Sequence, residues 1–265
     1  MIAPIPKAIS EEIIDQMKDF ILSATRFLDK DDERVIAWGD QLKKSMFAKP
    51  GHALACLGFL EQICGDADRA DEYYERALQR GADRDLVDEW RGVTYSNLGY
   101  VSKALKQFVW LGSEQRLNLP VGIPTAVTLG GFKLARRLLG EAEKMNVSLD
   151  NYGDFGTIRR LTSEMADSPV EDAKFAELLD LAGDVLRDHR LFWTGLYPIA
   201  DFDEFTGWAS IRYEVDVTPD YASQMNREFD DLVIAKGLHT VPLTVGFIGT
   251  RVDDWLATLR TGTAQ

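Results

Sequence analysis

The stretch GHALACLGFLEQICGDADRADEYYERALQRGADR, residues 51–84, is followed without a gap by DLVDEWRGVTYSNLGYVSKALKQFVWLGSEQRLN, residues 85–118. Laid one on the other at a spacing of 34 residues, Gly58 falls on Gly92, Gly65 on Gly99, Ala70 on Ala104 and Tyr74 on Phe108. A period of this length marks a repeated supersecondary unit that buries its apolar face by stacking on its neighbour. Gly58 and Gly92 fall in mid-helix, where glycine costs about 1 kcal/mol relative to alanine. Close approach of a second helix compensates, with the small residues Gly58 and Ala70 letting the two helices of one unit touch. Gly65-Asp66 then forms the turn between them, because glycine accepts a positive φ at little cost. Tyr74, Ala77 and Leu78 recur at helical spacing on the face to be buried.

The period, with Leu57-Gly58, Gly65-Asp66, Ala70, Tyr74, Ala77 and Leu78, resembles the tetratricopeptide (TPR) helix-turn-helix repeat. The second copy keeps Gly92, Tyr95, Gly99, Ala104, Phe108 and Leu111, but has Arg91 where the first has Leu57 and Tyr100 in place of the acid after the turn glycine. The resemblance implies that the first helix of each repeat lines a concave, partner-binding groove. Phe59, Gln62 and Ile63 would face it from the first copy, and Glu89, Val93, Ser96 and Asn97 from the second. Family members that grip a peptide's terminal carboxylate use lysine, arginine and asparagine at these places, and of those only Asn97 is present. The implied ligand is instead an apolar or amphipathic segment, held by burial and oriented by a few hydrogen bonds.

Outward from the tandem pair, helical periodicity continues on both sides. Ile13, Ile14, Met17, Phe20, Ile21, Ala24 and Phe27 recur every three or four residues after Ser10, and Val35, Ile36, Trp38, Leu42 and Met46 do so between Asp32 and Ala48. These two helices predict a hairpin that caps the repeats, since an end unit otherwise exposes an apolar face. After Leu119-Pro120 and Ile123-Pro124 a helix is expected from about Thr125. Gly130, Ala135, Leu139 and Ala142 reproduce the intervals of Gly65, Ala70, Tyr74 and Ala77, which predicts a third hairpin. Residues 151–166 and 170–187 read as a further helix pair, with Ser168 capping and Pro169 at the first helical position.

At His189 the period changes. Trp208, Ser210, Arg212, Glu214 and Asp216 alternate with Ala209, Ile211, Tyr213, Val215 and Val217, the two-residue period of a half-buried strand. Residues 191–199 and 240–248 are β-rich runs that can flank it, with a loop at 201–206. Thr218-Pro219-Asp220 opens a helix that Gly237 closes, and a short last helix is expected through Trp255 and Leu259. The fold class is therefore mostly α: a TPR-like solenoid over 1–188, followed over 189–265 by a small α+β domain, a three-stranded sheet with a helix packed on one face.

Composition narrows the function. The chain has 265 residues, 45% of them hydrophobic, enough for a proper core, and a net charge of -13. That charge argues against a direct grip on nucleic acid, which needs a basic surface. Two cysteines, Cys56 and Cys64, lie eight apart on one predicted helix, about 12 Å at ~1.5 Å per residue, too far for a disulfide. They read as core thiols of a reducing, cytoplasmic protein, and the N-terminal residues lack the pattern of a signal peptide. His52, His189 and His239 show no metal-ligand spacing, and no nucleophile elbow, phosphate loop or dinucleotide fingerprint occurs. No cofactor, metal site or catalytic residue is expected.

The expected activity is thus that of a protein-binding adaptor or scaffold without catalysis of its own. Its partner would be another protein, offering an apolar or basic segment, with no membrane partner and a homodimer through an exposed strand edge left open. Two other classes stay in view. Asp201, Asp203, Glu204, Glu214 and Asp216 could form a carboxylate cluster for a metal-dependent hydrolase or nuclease, although Asp216 stands where such a site would want a lysine. The acidic surface could also mimic nucleic acid and inhibit a protein with a basic site.

Overall fold

Gly58 decides how the first tandem hairpin closes. A Cβ there would meet Tyr74 Cε1 at 2.7 Å and the Ala70 carbonyl oxygen at 3.1 Å, so α3 (Pro50–Ile63) and α4 (Ala67–Gln79) are in contact at the glycine, as the spacing predicts. Gly65 makes the turn with φ +82° under the Phe27 ring, and Asp66 caps α4 by accepting the Arg69 N–H at 3.0 Å. The computed structural model describes residues 9–113, 118–149, 155–193, 199–203 and 205–251. By backbone packing the chain divides into two compact units, Met1–Ser113 with Leu186–Gly195, and Glu114–Val185 with Leu196–Gln265. The expected boundary at 188/189 follows periodicity, whereas this division follows packing.

In the first unit, α1 (Ile9–Ser23), α3 and α5 (Arg84–Asn97) pack one on the next as leading helices. The trailing helices α2 (Glu33–Ser45) and α4 each pack on their own hairpin partner and on the following leading helix, and α6 (Val101–Ser113) packs on α5. Such repeated neighbour packing is that of a helical-repeat stack. Val35, Trp38 and Leu42 of α2 are buried, but Ile36, expected inward, is 50% exposed. It lies one residue beyond the arc facing α3, where a helix admits only about a third of its side chains. Of the β-rich run expected at 191–199, residues 191–193 belong to this unit and not to a sheet. Leu191 bridges Arg26, the Phe192 N–H donates to Thr25 O at 3.1 Å, and the Trp193 N–H donates to Asn97 O at 2.9 Å.

In the second unit, α7 (Leu119–Thr128) and α8 (Phe132–Lys144) form the third hairpin, with Gly130 at φ +72° in its turn. The helix α7 starts at Leu119, earlier than its prolines suggest. Pro120 sits in the first turn, where a missing N–H is harmless, and Pro124 lies only one turn further in. Helix α9 (Phe155–Ala166) follows, then α10 (Asp172–Asp188), which belongs to this unit as far as Val185, starts at Asp172 and leaves Pro169 outside it. Ser168 accepts the Val170 N–H at 3.2 Å, and Asp172 is directed elsewhere. Its two carboxylate oxygens accept the Lys133 and Leu134 N–H groups at 2.9 and 3.0 Å, capping α8, whose own N-cap Gly131 has no side chain to do so.

The sheet has the order β1 (Ile199–Asp203), β2 (Trp208–Val215), β3 (Leu243–Gly249), antiparallel then parallel, with α11 (Pro219–Ala235) as the crossover. Ala209, Ile211, Tyr213 and Val215 are buried on one face with Met225 and Phe229 of α11, as the alternation predicts. The first strand falls at 199–203, meeting the expected β-rich run of 191–199 only at its first residue and taking 201–203 from the expected loop. Register explains the shift: Asp201 pairs with Ser210 and Asp203 with Trp208, and the Asp203 carboxylate then accepts the Phe205 and Thr206 N–H groups in the hairpin turn. The expected helix through Trp255 and Leu259 lies outside the described residues. Among those residues no helix is long and apolar enough to cross a membrane.

Candidate partner-binding surface

The residues assigned to the groove separate into two sets. Phe59, Gln62 and Ile63 lie in the core, 4%, 0% and 0% exposed, and Asn97 is 9% exposed. What covers them is the chain itself. The Trp90 ring packs edge-on against Phe59, centroids 5.6 Å apart, and against His52 at 6.1 Å, and Lys18 of α1 lies over Trp90 at 5.6 Å. At the other end, Leu28 N–H donates to Ile63 O at 3.0 Å and the 191–193 strap binds the Asn97 carbonyl. The leading helix α3 is therefore an interior helix, with eleven of its fourteen residues buried. Its nearly unbroken apolar sequence, ALACLGFL at 53–60, carries that signal.

Gln62 has a structural task instead. The buried Thr94 hydroxyl donates to Gln62 Oε1 at 2.7 Å, which leaves the Tyr74 hydroxyl to donate to Thr94 Oγ1 at 2.8 Å. This relay ties α3, α4 and α5 in one orientation. Beside it, Arg91 stands where the first repeat has Leu57, and α4 answers it: Arg91 pairs with Asp71 at 3.2 Å and Glu75 at 2.6 Å, while the Tyr95 hydroxyl donates to Asp71 at 2.6 Å. Burial raises the Tyr95 phenol above its usual range, with the Asp71 charge acting in the same direction.

Glu89, Val93 and Ser96 remain within reach of solvent. Glu89 is exposed and Val93 and Ser96 are half-buried. Their spacing of four and three residues sets them in line along one face of α5, an acid, a branched alkyl group and a hydroxyl. That face offers a half-buried alkyl group between a carboxylate and a hydroxyl.

The carboxylates of the second unit are only partly gathered. Asp201 and Asp203 line an open cavity of about 370 Å3 with Thr206, Trp208, Ser210 and Thr244. Asp216 is committed to Arg251, with oxygens 2.9 and 3.3 Å from the guanidinium, and Glu214 is exposed further along β2. Among the described residues no group of three or more His, Cys, Asp or Glu is placed to hold a metal ion, and Glu204 lies outside them.

No family model, curated protein or solved structure matches this chain.

Proposed function

We propose that the chain is a non-catalytic protein-binding module of TPR-like hairpins that uses the Glu89, Val93, Ser96 face of α5 for an apolar or amphipathic segment of another protein. The observation that supports it is the Gln62–Thr94–Tyr74 relay, which stacks two hairpins in one orientation while the Glu89, Val93, Ser96 face of α5 keeps partial access to solvent. Stacked hairpins present such a face rigidly, so a segment that binds does not have to order the receptor first. Affinity capture from the native host, read by mass spectrometry, compares the wild type with Val93→Asp/Ser96→Arg. The expected result is loss of the same specific protein from the variant at unchanged helicity. Identical capture profiles would overturn the assignment.

A further inference from the structure

We propose that the junction of α2, α3 and α4 is a second docking site, shaped for an acidic segment of a partner protein that carries one apolar anchor residue. The cavity there is about 290 Å3 and is lined by Met46, Pro50, Leu54, Arg76, Gln79 and Arg80. Its floor is apolar, with Leu54 buried and Met46 and Pro50 half-buried. Its rim is cationic. Arg76 and Arg80 are one turn apart at the end of α4, on the same side of it, and both are exposed.

The chain carries 43 acids against 30 Lys and Arg, and Arg34, Arg69, Arg91, Arg136, Arg190 and Arg251 each hold at least one of those acids. Arg76 and Arg80 hold none among the described residues, as is also true of Arg26, Arg84, Arg137, Arg212 and Arg227, but the first two flank an apolar cavity. Arg76 rests at 5.3 Å from the Tyr73 ring centroid, a contact that leaves guanidinium N–H groups free to donate. Two arginines left unmatched in so acidic a protein, at the mouth of an apolar cavity, are complementary to carboxylates brought by another molecule.

Phe47, next to the lining residue Met46, is 97% exposed and adds apolar surface beside the mouth, while of the nearby lysines Lys43 pairs with Asp40 at 3.3 Å and Lys49 with Glu11 at 3.0 Å. The mouth is also pre-formed. A Cβ on Gly51 would meet Ala82 N at 2.5 Å and Arg80 O at 2.9 Å, so the start of α3 is set hard against the end of α4 before anything binds. The cavity is at the foot of the size range for small-molecule pockets, which suits a single inserted side chain. A bilayer would meet Phe47 and the lysines but would not enter it.

This site is independent of the α5 face. The test is fluorescence anisotropy on the full chain with a short fluorescein-labelled peptide containing Asp-Asp-Phe-Asp, a sequence that this chain does not contain. The expected result is saturable binding that weakens about tenfold or more in Arg76→Gln/Arg80→Gln. It should weaken similarly when the peptide aspartates become asparagine, and at about 1 M salt, where the screening length is about 3 Å. Val93→Asp should leave it unchanged, which separates this proposal from the α5 assignment, and circular dichroism checks that each variant is folded. Equal binding by the arginine variant, equal binding of the asparagine peptide, or no binding of the acidic peptide would each overturn it. So would binding to phosphatidylserine vesicles that needs Arg76, Arg80 and Phe47 while the peptide fails to bind, which would assign the surface to membranes.

Discussion

At the scale of single residues, the two matched glycines differ in what they protect. At Gly58 the obstacle is the fully buried Tyr74 ring and a backbone carbonyl, neither of which can swing away, whereas at Gly92 the one tight neighbour of a Cβ is the flexible Gln107 side chain at 3.2 Å, with Phe108 at an ordinary contact distance of 3.8 Å. Gly58→Ala should therefore lose about 1–3 kcal/mol through overpacking, and Gly92→Ala should stay within about 1 kcal/mol of wild type because its helix propensity improves. Urea denaturation monitored by far-UV circular dichroism measures both. The thiols make a second case. Burial pushes Cys56 up to about 12 and Cys64 up to about 11, so neither forms thiolate at neutral pH. Ellman's reagent at pH 8 should react slowly with the folded chain and rapidly with both thiols in denaturant.

His52 titrates in the opposite sense. Burial, aided by Lys49 and Lys18 and opposed by Glu11, holds its imidazole below the ordinary value. The unfolded chain takes up this proton near pH 6.5 while the folded chain resists it. The stability His52 contributes is present above about pH 6.5 and is lost as the pH falls from there through the folded-state value. Melting temperatures measured between pH 7.5 and 5 should fall for the wild type, and His52→Gln should flatten that decline.

At the scale of elements, the tie between hairpins is polar at its centre. Thr94→Val would leave the Gln62 carbonyl and the Tyr74 hydroxyl without their buried partner, at a cost of about 1–3 kcal/mol. Equilibrium unfolding should show that loss, and a Thr94→Ser variant should restore most of it. The hairpins themselves were legible in the sequence, because small residues and turn glycines recur at fixed intervals for steric reasons that do not depend on context. What covers α3 was not legible. Phe59 and Ile63 have the same pattern whether a groove is open or filled, and the filling comes from Trp90, Lys18 and the 191–193 strap, which the repeat does not specify. Asp172 escaped for the same reason: it reads as the start of its own helix but caps another, 39 residues earlier. Arg91 looks like a defect in the repeat until Asp71 and Glu75 are seen opposite it.

At the scale of the whole molecule, alternation of apolar and polar residues located the start of β2 at Trp208 and ran two residues past its end at Val215, since a one-sided sheet imposes it. β-rich composition, a weaker signal, misplaced its neighbour. Leu191, Phe192 and Trp193 have strand-like composition, yet their burial is in the helical unit, where Phe27 and Phe192 meet edge to face at 4.7 Å. Phe192→Ser/Trp193→Ser should accordingly raise hydrogen exchange at 24–28 and 94–98 and leave α11 and β2 as protected as in wild type. Mass spectrometry of peptic fragments reads both regions in one experiment.

The strap also orders events during synthesis. Residues 191–193 leave the ribosome after every helix from α1 to α10, so the first unit stays without its last packing layer while some seventy further residues are made. During that interval Phe27 and the end of α5 lack their cover, and a chaperone that recognises apolar helix ends would find its substrate there.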